Sequence, residues 1–160
     1  MIRYFIHDCK HEEATLSMKP WYYLVQFTWG ILQNLAGCFW FLCCLRKKHS
    51  IYHGAILTRV HRKHFSGGWT FGCFIFLTEP LSPQDEHDLL IHEYGHTIQS
   101  LILGPVWSLV IGLPSMLWCN LPPFQRLRRR RGIPYSRLYC EGWANRLGQK
   151  VLKEKQYRDV

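Results

Sequence analysis

The chain has 160 residues, a length that suits one domain built around one core. Hydrophobic residues make up 48% of it, which excludes an intrinsically disordered protein. The 20 Lys and Arg residues outnumber the 11 Asp and Glu residues, and the resulting formal net charge of +9 indicates an anionic partner, either lipid headgroups or nucleic acid.

The seven cysteines form an odd set without a CxxC pair, which excludes the spacings of zinc ribbons and zinc fingers. Several lie inside apolar runs, where cysteine behaves as a small hydrophobic residue. We therefore expect most of them to be reduced thiols in a reducing compartment. The first twenty residues lack a continuous apolar core, so we expect no secretory signal.

Residues 1–50 form the first predicted segment. Residues 1–19 are mixed in polarity, and a short strand at residues 3–7 is one interpretation. An apolar run without charged residues then covers residues 21–45 and ends at the basic residues 46–48. Because a bilayer crossing needs about 20 apolar residues, this run predicts an N-terminal membrane helix.

The polar and small residues of this run share one helical face. Gly30, Gln33, Asn34 and Gly37 are spaced three or four residues apart, and Gln26 lies on the same face. We expect this stripe to face protein and the large side chains to face lipid. A central helix buried in a soluble domain is the alternative.

Residues 51–160 form the second predicted segment, which begins with two β-rich stretches. Residues 51–60 and 69–77 are rich in β-branched and aromatic residues, and the stretch between them contains Gly67 and Gly68. This pattern predicts a β-hairpin.

Helices are predicted for the rest of the sequence. Ser82 followed by Pro83 indicates a helix start, and Gly104-Pro105 indicates its end. The apolar stretch that follows is broken by glycine and proline, which favours a shallow or re-entrant hairpin or a segment buried in protein. An arginine cluster at residues 126–131 is expected in a solvated or headgroup-facing loop, and a last helix is predicted over residues 135–153.

Residues His92-Glu93-Tyr94-Gly95-His96 match the HExxH motif. Histidines four residues apart on a helix project from the same face, so both rings can reach one zinc ion. The glutamate beside the first histidine can then act as general base toward a water molecule. A glycine in the middle of a helix costs about 1 kcal/mol and indicates close packing. Two structural histidines are the alternative interpretation.

A catalytic zinc ion usually has three protein ligands and one open position. The metzincin pattern is excluded, because Ile102 occupies the position of its third histidine. Glu141, on the last predicted helix, is the better candidate, and Asn145 one turn later can hold a ligand histidine in its tautomer. Weaker candidates, which lie before the HExxH helix or on another of its faces, are Glu79, Glu86 and His87.

The HExxH motif followed by a helix-borne glutamate resembles the gluzincin pattern of thermolysin-like peptidases. Residues 67–148 further resemble a family of small, largely uncharacterised bacterial metallopeptidases, through the motifs FGCFIFL, HEYGHTIQS, LGPVW, GLPS and EGWANRLG. The resemblance implies one zinc ion per chain bound by His92, His96 and Glu141, with Glu93 as the catalytic base. The expected fold is α+β, a mainly helical, zincin-like minimal domain with the β-hairpin beside the active-site helix.

Hydrolysis at such a site needs a hydrogen-bond donor for the tetrahedral oxyanion. Tyr135, Tyr139 and Arg146 flank Glu141 and are the candidates, and the sequence does not choose among them. In zincins generally, an extended substrate pairs with a strand edge beside the active helix. By analogy, residues 69–77 would supply that edge here.

The expected function is a zinc metallopeptidase with a peptide or protein substrate. One alternative is a zinc hydrolase of a non-peptide amide or lipid-linked substrate, and another is a non-catalytic basic protein of a membrane surface. Nucleic-acid binding is disfavoured, because the arginines form one short cluster without interleaved aromatic residues.

The position of the site relative to a membrane follows from its ligands. His96 and Glu141 must meet at one metal ion, so the apolar stretch between them cannot end on the far side of a bilayer. The basic clusters at residues 46–48 and 126–131 would then share a side, and positive charge favours the cytoplasmic face. We expect binding to membrane lipids, with the active site on the cytoplasmic side.

Overall fold

The computed structural model describes residues 20–61 and 67–159, so the strand considered at residues 3–7 lies outside the described residues. Within these ranges the fold is α+β, with six α-helices and a four-stranded mixed sheet, which confirms the predicted class. The helices are α1 (Pro20–Thr28), α2 (Ile31–Cys43), α3 (Pro83–Leu103), α4 (Leu113–Asn120), α5 (Pro122–Arg131) and α6 (Tyr139–Leu152).

The sheet has the strand order β1-β2-β4-β3, which leaves β3 at one edge. The neighbours β1 and β2 are antiparallel, as are β3 and β4, whereas the central strands β2 and β4 pair in parallel. In that parallel pair, Ile56 lies opposite Phe74. The strands are β1 (Lys48–Tyr52), β2 (Ala55–His61), β3 (Gly68–Phe71) and β4 (Phe74–Glu79).

The prediction of one hairpin from residues 51–60 and 69–77 is wrong, because each stretch turns back on itself. His53 and Gly54 have φ angles of 45° and 83°, and Gly72 has a φ angle of 60°. Positive φ angles in a two-residue connection close a tight hairpin. The two stretches therefore form two hairpins, and their inner strands β2 and β4 run parallel.

Helices cover both faces of the sheet. Leu57, Ile75 and Leu77 pack in one core with residues of α3 and α6. Phe74 and Phe76 point to the opposite face, where side chains of α1 and α2 cover them. Because β4 is covered on both faces, its first four residues are apolar without polar alternation.

The apolar run over residues 21–45 forms two helices, so the prediction of a single helix is wrong. α1 ends at Thr28 and α2 begins at Ile31. A Cβ atom at Gly30 would lie 2.9 Å from the carbonyl oxygen of Gln26. The Asn34 amide donates to that carbonyl at 2.6 Å and to the Gly30 carbonyl at 2.9 Å, and it thereby stabilises the break.

The polar stripe of this run faces protein, as predicted. Gln26, Gln33 and Asn34 are at most 1% exposed. Gln33 Nε2 donates to Ser100 Oγ at 2.9 Å and to the Gly104 carbonyl at 2.8 Å, which ties α2 to the end of α3.

Over the described residues, none of the helices combines the length and the apolar composition of a bilayer crossing. The consecutive helical stretches Pro83–Val106 and Ser108–Asn120 meet both requirements only when taken together, and they are bent by 119° relative to each other.

Helix α3 begins and ends as predicted. The Ser82 hydroxyl accepts a hydrogen bond from the Asp85 backbone N–H at 3.1 Å, and Gly104, with a φ angle of 53°, follows the last helical residue. A 3-10 turn (Gly104–Val106) and a π-helical turn (Ser108–Gly112) then lead into α4.

Two helix boundaries near the C-terminus differ from the predictions. The arginine cluster lies on α5 and not in a loop, because Pro122 can begin a helix and Gly132, with a φ angle of 59°, can end one. The last helix is shorter than predicted: residues 135–137 form a 3-10 turn, and α6 begins at Tyr139. The six cysteines of the described residues form no disulfide with one another.

Candidate metal centre

Helices α3 and α6 approach each other closely at two glycines. A Cβ atom at Gly95 would overlap the carbonyl oxygen of Ala144, and one at Gly148 would overlap the carbonyl oxygen of Ile91. The packing reason predicted for Gly95 is therefore confirmed. This approach brings the first turn of α6, which carries Glu141, against the HExxH face of α3.

His92, His96 and Glu141 meet at this contact. His92 Nε2 lies 3.1 Å and His96 Nε2 lies 3.3 Å from Glu141 Oε2. One ligand atom from each residue lies within 4.8 Å of the other two, and all three side chains are buried. This His/His/Glu group can hold a metal ion.

Two side-chain amides fix the ring orientation of both histidines. Asn145 Oδ1 lies 2.6 Å from His92 Nδ1, and Gln99 Oε1 lies 2.7 Å from His96 Nδ1. The NH₂ groups of these amides donate elsewhere, to the Cys140 carbonyl and to Asp159. Because an amide oxygen can only accept, both Nδ1 atoms carry a hydrogen, and each Nε2 atom is directed at Glu141 as a metal ligand requires.

The electrostatics of the cluster favour a cation between its members. Burial disfavours the charged form of His96, but the hydrogen bond and the charge of Glu141 outweigh it and raise the pKa of His96 to about 9. Burial also disfavours the Glu141 carboxylate, yet hydrogen bonds from His92 and His96 hold the pKa of Glu141 well below its usual range. Both the donor set and its preference for positive charge therefore fit a bound metal ion.

Glu93 lies beside this group but belongs to a different contact. Its Oε2 atom accepts a hydrogen bond from the Thr70 hydroxyl at 2.7 Å. A Cβ atom at Gly68 would lie 2.6 Å from Glu93 Oε1, so the carboxylate lies against the edge strand β3. Burial raises the pKa of Glu93, while the neighbouring His92 and His96 act in the opposite direction.

The structure separates the three predicted oxyanion donors. The Tyr135 ring centroid lies 6.3 Å from that of His92. Tyr139 is 54% exposed and its hydroxyl donates to the Val110 carbonyl, and Arg146 is also exposed. Tyr135 therefore lies beside the ligands, and the other two point away from them.

The weaker ligand candidates lie in other contacts. Arg59 forms ion pairs with Glu79 at 3.5 Å and with Glu86 at 2.5 Å. His87 Nδ1 lies 3.7 Å from a carboxylate oxygen of Glu154.

Sequence reasoning missed several residues that support the cluster. Gln99 lies three residues after His96 on α3, and that spacing could have identified it as a partner of the ring. Thr70 and Asp159 are remote in sequence, and no local signal marks them. The buried Asp88 carboxylate accepts the backbone N–H groups of Tyr157 and Arg158 at 2.7 and 2.9 Å, which holds Asp159 close to Asn145.

Comparison with protein-family models, with curated proteins and with solved structures gives no match for this chain. The resemblance to gluzincins stays a prediction, and the site is interpreted from its geometry.

Proposed function

We propose that this protein is a zinc-dependent metallopeptidase with a zincin-like minimal domain, which hydrolyses a peptide bond with Glu93 as general base. The observation that carries the proposal is the buried convergence of two imidazole nitrogens and one carboxylate oxygen, with a separate buried carboxylate next to them. Structural zinc sites usually have four protein ligands, whereas three ligands with an adjacent base are typical of catalytic sites.

Zinc is the metal that the donor set supports best. Two neutral imidazoles and one carboxylate form the His₂Glu ligand set of zinc hydrolases. Bound there, zinc would supply Lewis-acid chemistry, lowering the pKa of a water molecule and polarising a substrate carbonyl.

Glu93 is suited to carry the proton. Its carboxylate would accept a proton from the attacking water and return it to the nitrogen of the departing amine. The Thr70 hydroxyl, which donates to Oε2, holds the carboxylate in one orientation. Burial raises the pKa of Glu93. This shift moves the pKa toward neutral pH, where a carboxyl group can both accept and return a proton.

The edge strand supports a peptide substrate. Gly68 and Thr70 lie on β3 next to Glu93, and β3 pairs with β4 along one side. An extended peptide could pair with the other side by main-chain hydrogen bonds and pass close to the cluster. A non-peptide amide or a lipid-linked substrate could not form these main-chain hydrogen bonds with the edge. The edge strand therefore favours a peptide substrate.

Tyr135 is the oxyanion donor that the geometry favours. Burial and the nearby charge of Glu141 raise the pKa of Tyr135. Its hydroxyl therefore stays protonated at neutral pH and can donate a hydrogen bond.

The first test is the metal content of purified protein, measured by mass spectrometry for the natural sequence and for Glu141→Ala. We expect about one zinc ion per chain, largely lost in the variant. Glu141→Gln, which preserves the side-chain volume, guards against misfolding of the alanine variant. Absence of zinc from the natural protein after reconstitution would overturn the proposal.

The second test separates metal binding from catalysis. In a peptide-library assay, Glu93→Gln should retain zinc and lose activity by roughly 10²- to 10⁴-fold. Glu86→Gln is the matched control, because it makes the same change on the same helix at a residue that binds Arg59. Equal activity of the natural protein and Glu93→Gln would contradict the role of Glu93.

A further inference from the structure

The outer faces of α1 and α2 expose large apolar side chains, whereas their inner faces bury polar residues among apolar ones. Large side chains point outward, including Leu24, Leu35 and Phe39, which are 60–65% exposed. The polar Gln33 and Asn34 point inward and are buried. A surface helix of a soluble domain has the opposite arrangement, so this arrangement indicates apolar surroundings.

The end of α3 and the turns after it add a second apolar face. No Asp, Glu, Lys or Arg occurs over residues 97–125. Ile102, Val106, Leu109 and Met116 each expose about half or more of their side chains.

The two faces meet at Trp29 and Gly104. A Cβ atom at Gly104 would overlap the Trp29 ring, and Gln33 donates to the Gly104 carbonyl at 2.8 Å. The two faces therefore form one continuous apolar surface, made of α1, α2 and residues 102–116.

Basic clusters follow both parts of this apolar surface in the chain. Arg46, Lys47 and Lys48 come directly after α2 and are exposed. Exposed arginines on α5, which follows the second part, are Arg126, Arg129, Arg130 and Arg131. An uncharged apolar surface whose two parts are each followed in the chain by exposed cations is complementary to a bilayer with anionic headgroups.

We propose that the apolar surface docks the protein into one leaflet of an anionic bilayer, without crossing it. At about 1.5 Å per residue, the 13-residue α2 measures about 20 Å, which is shorter than the hydrocarbon core of about 30 Å. The 119° bend after α3 also suits a shallow entry. The anionic cytoplasmic leaflet is the matching surface.

The proposed membrane surface adjoins the metal centre. Trp107 is buried between the exposed Val106 and Ser108, and its ring centroid lies 6.5 Å from that of His96. Trp107 thus connects the proposed docking surface to the cluster.

Flotation with lipid vesicles tests the proposal. The full chain is mixed with vesicles of phosphatidylcholine, with or without phosphatidylglycerol, and the floated fraction is measured after detergent removal. We expect flotation with both vesicles and stronger binding to the anionic ones. The double variant Leu35→Glu/Leu109→Glu should lose flotation with both, while its circular dichroism and zinc content stay unchanged.

Two further variants sharpen the test. Tyr157→Glu introduces the same charge at an exposed aromatic residue beside His87, far along α3 from the apolar surface, and should float like the natural protein. Replacing Arg129, Arg130 and Arg131 by Gln should weaken binding to anionic vesicles on the order of a hundred-fold and leave binding to neutral vesicles unchanged.

Other occupants of the surface would give different results. A detergent-free soluble dimer that does not float would assign the surface to a second copy, and a soluble monomer that does not float would show that the surface does not dock to lipid. Either result overturns the proposal. Because flotation needs no catalysis, Glu93→Gln should float normally, which keeps this test independent of the proposed peptidase activity.

Discussion

Asn145 Oδ1 lies 2.6 Å from His92 Nδ1, and Asn145 Nδ2 donates to Asp159 Oδ1 at 2.9 Å. One amide on α6 thus connects a candidate metal ligand to the C-terminal tail. Because the Asp159 carboxylate can only accept, it fixes the amide orientation, and the amide in turn fixes the histidine tautomer. The tail therefore belongs to the support of the metal centre.

Replacing Asn145 should weaken metal binding. We expect Asn145→Ala to lower zinc affinity by roughly 10- to 100-fold, because His92 loses the acceptor for its Nδ1 hydrogen. Competition with a chromophoric chelator measures the change. Lys150→Ala, at an exposed position on the same helix, should bind zinc like the natural protein. Equal affinities for Asn145→Ala and the natural protein would show that the amide does not support the ligand.

Zinc binding should release a proton. With its pKa raised to about 9, His96 is protonated at pH 7 in the metal-free protein, whereas zinc binds the neutral ring. Affinity should therefore rise with pH up to about 9 and level off above it. Calorimetry in buffers of different ionisation enthalpy measures the proton count, which we expect to be about one at pH 7. Heats of binding that do not depend on the buffer would contradict this protonation state.

Features set by nearby residues were predictable from the sequence. The HExxH spacing placed both histidines on one face of α3, and Ser82 and Gly104 marked the ends of that helix. One contact between distant residues was also predicted: Glu141, 45 residues after His96, lies with His92 and His96 in the group that could hold a metal ion.

Most other features set by distant contacts were not predictable. The break at Gly30 depends on the Asn34 amide, which donates to the Gln26 carbonyl of α1 and accepts, through Oδ1, the backbone N–H of Cys73 at 2.9 Å. The parallel pairing of β2 with β4 depends on turns within stretches that resemble continuous strands. Thr70 reaches Glu93 through tertiary packing alone.

Replacing Gly95 should damage stability and the metal centre together. In Gly95→Ala, the new methyl group meets the backbone of Ala144 and forces α6 away from α3. We expect a loss of about 1–3 kcal/mol in the free energy of unfolding, by analogy with overpacked cores, and weaker zinc binding as Glu141 recedes. Denaturant unfolding and chelator competition measure the two effects. Gln84→Ala, on the exposed first turn of α3, should change neither.

Replacing Asn34 should destabilise the fold without touching the site. Asn34→Ala leaves the buried Cys73 N–H and Gln26 carbonyl without their side-chain partner, at a cost of about 1–3 kcal/mol for each group left unpaired. Unfolding in mild detergent measures the loss. Leu35→Ala is the control, because the neighbouring Leu35 is 60% exposed. If Asn34→Ala were as stable as the control, other groups would have to form hydrogen bonds with the Cys73 N–H and the Gln26 carbonyl.

The two tyrosines that flank the start of α6 offer a matched test of oxyanion stabilisation. Tyr135→Phe should lower kcat by roughly 10²- to 10³-fold and leave zinc affinity unchanged, because in the proposed mechanism the hydroxyl donates to the reacting carbonyl and not to the metal ligands. Tyr139→Phe also removes one hydroxyl group, but this hydroxyl donates to the Val110 carbonyl. This variant should therefore keep full activity. Because burial raises the pKa of Tyr135, its ionisation should not limit activity below pH 10. If both variants kept full activity, the oxyanion donor would have to come from another group near His92. If Tyr135→Phe also lost zinc, the hydroxyl would act on the metal centre instead.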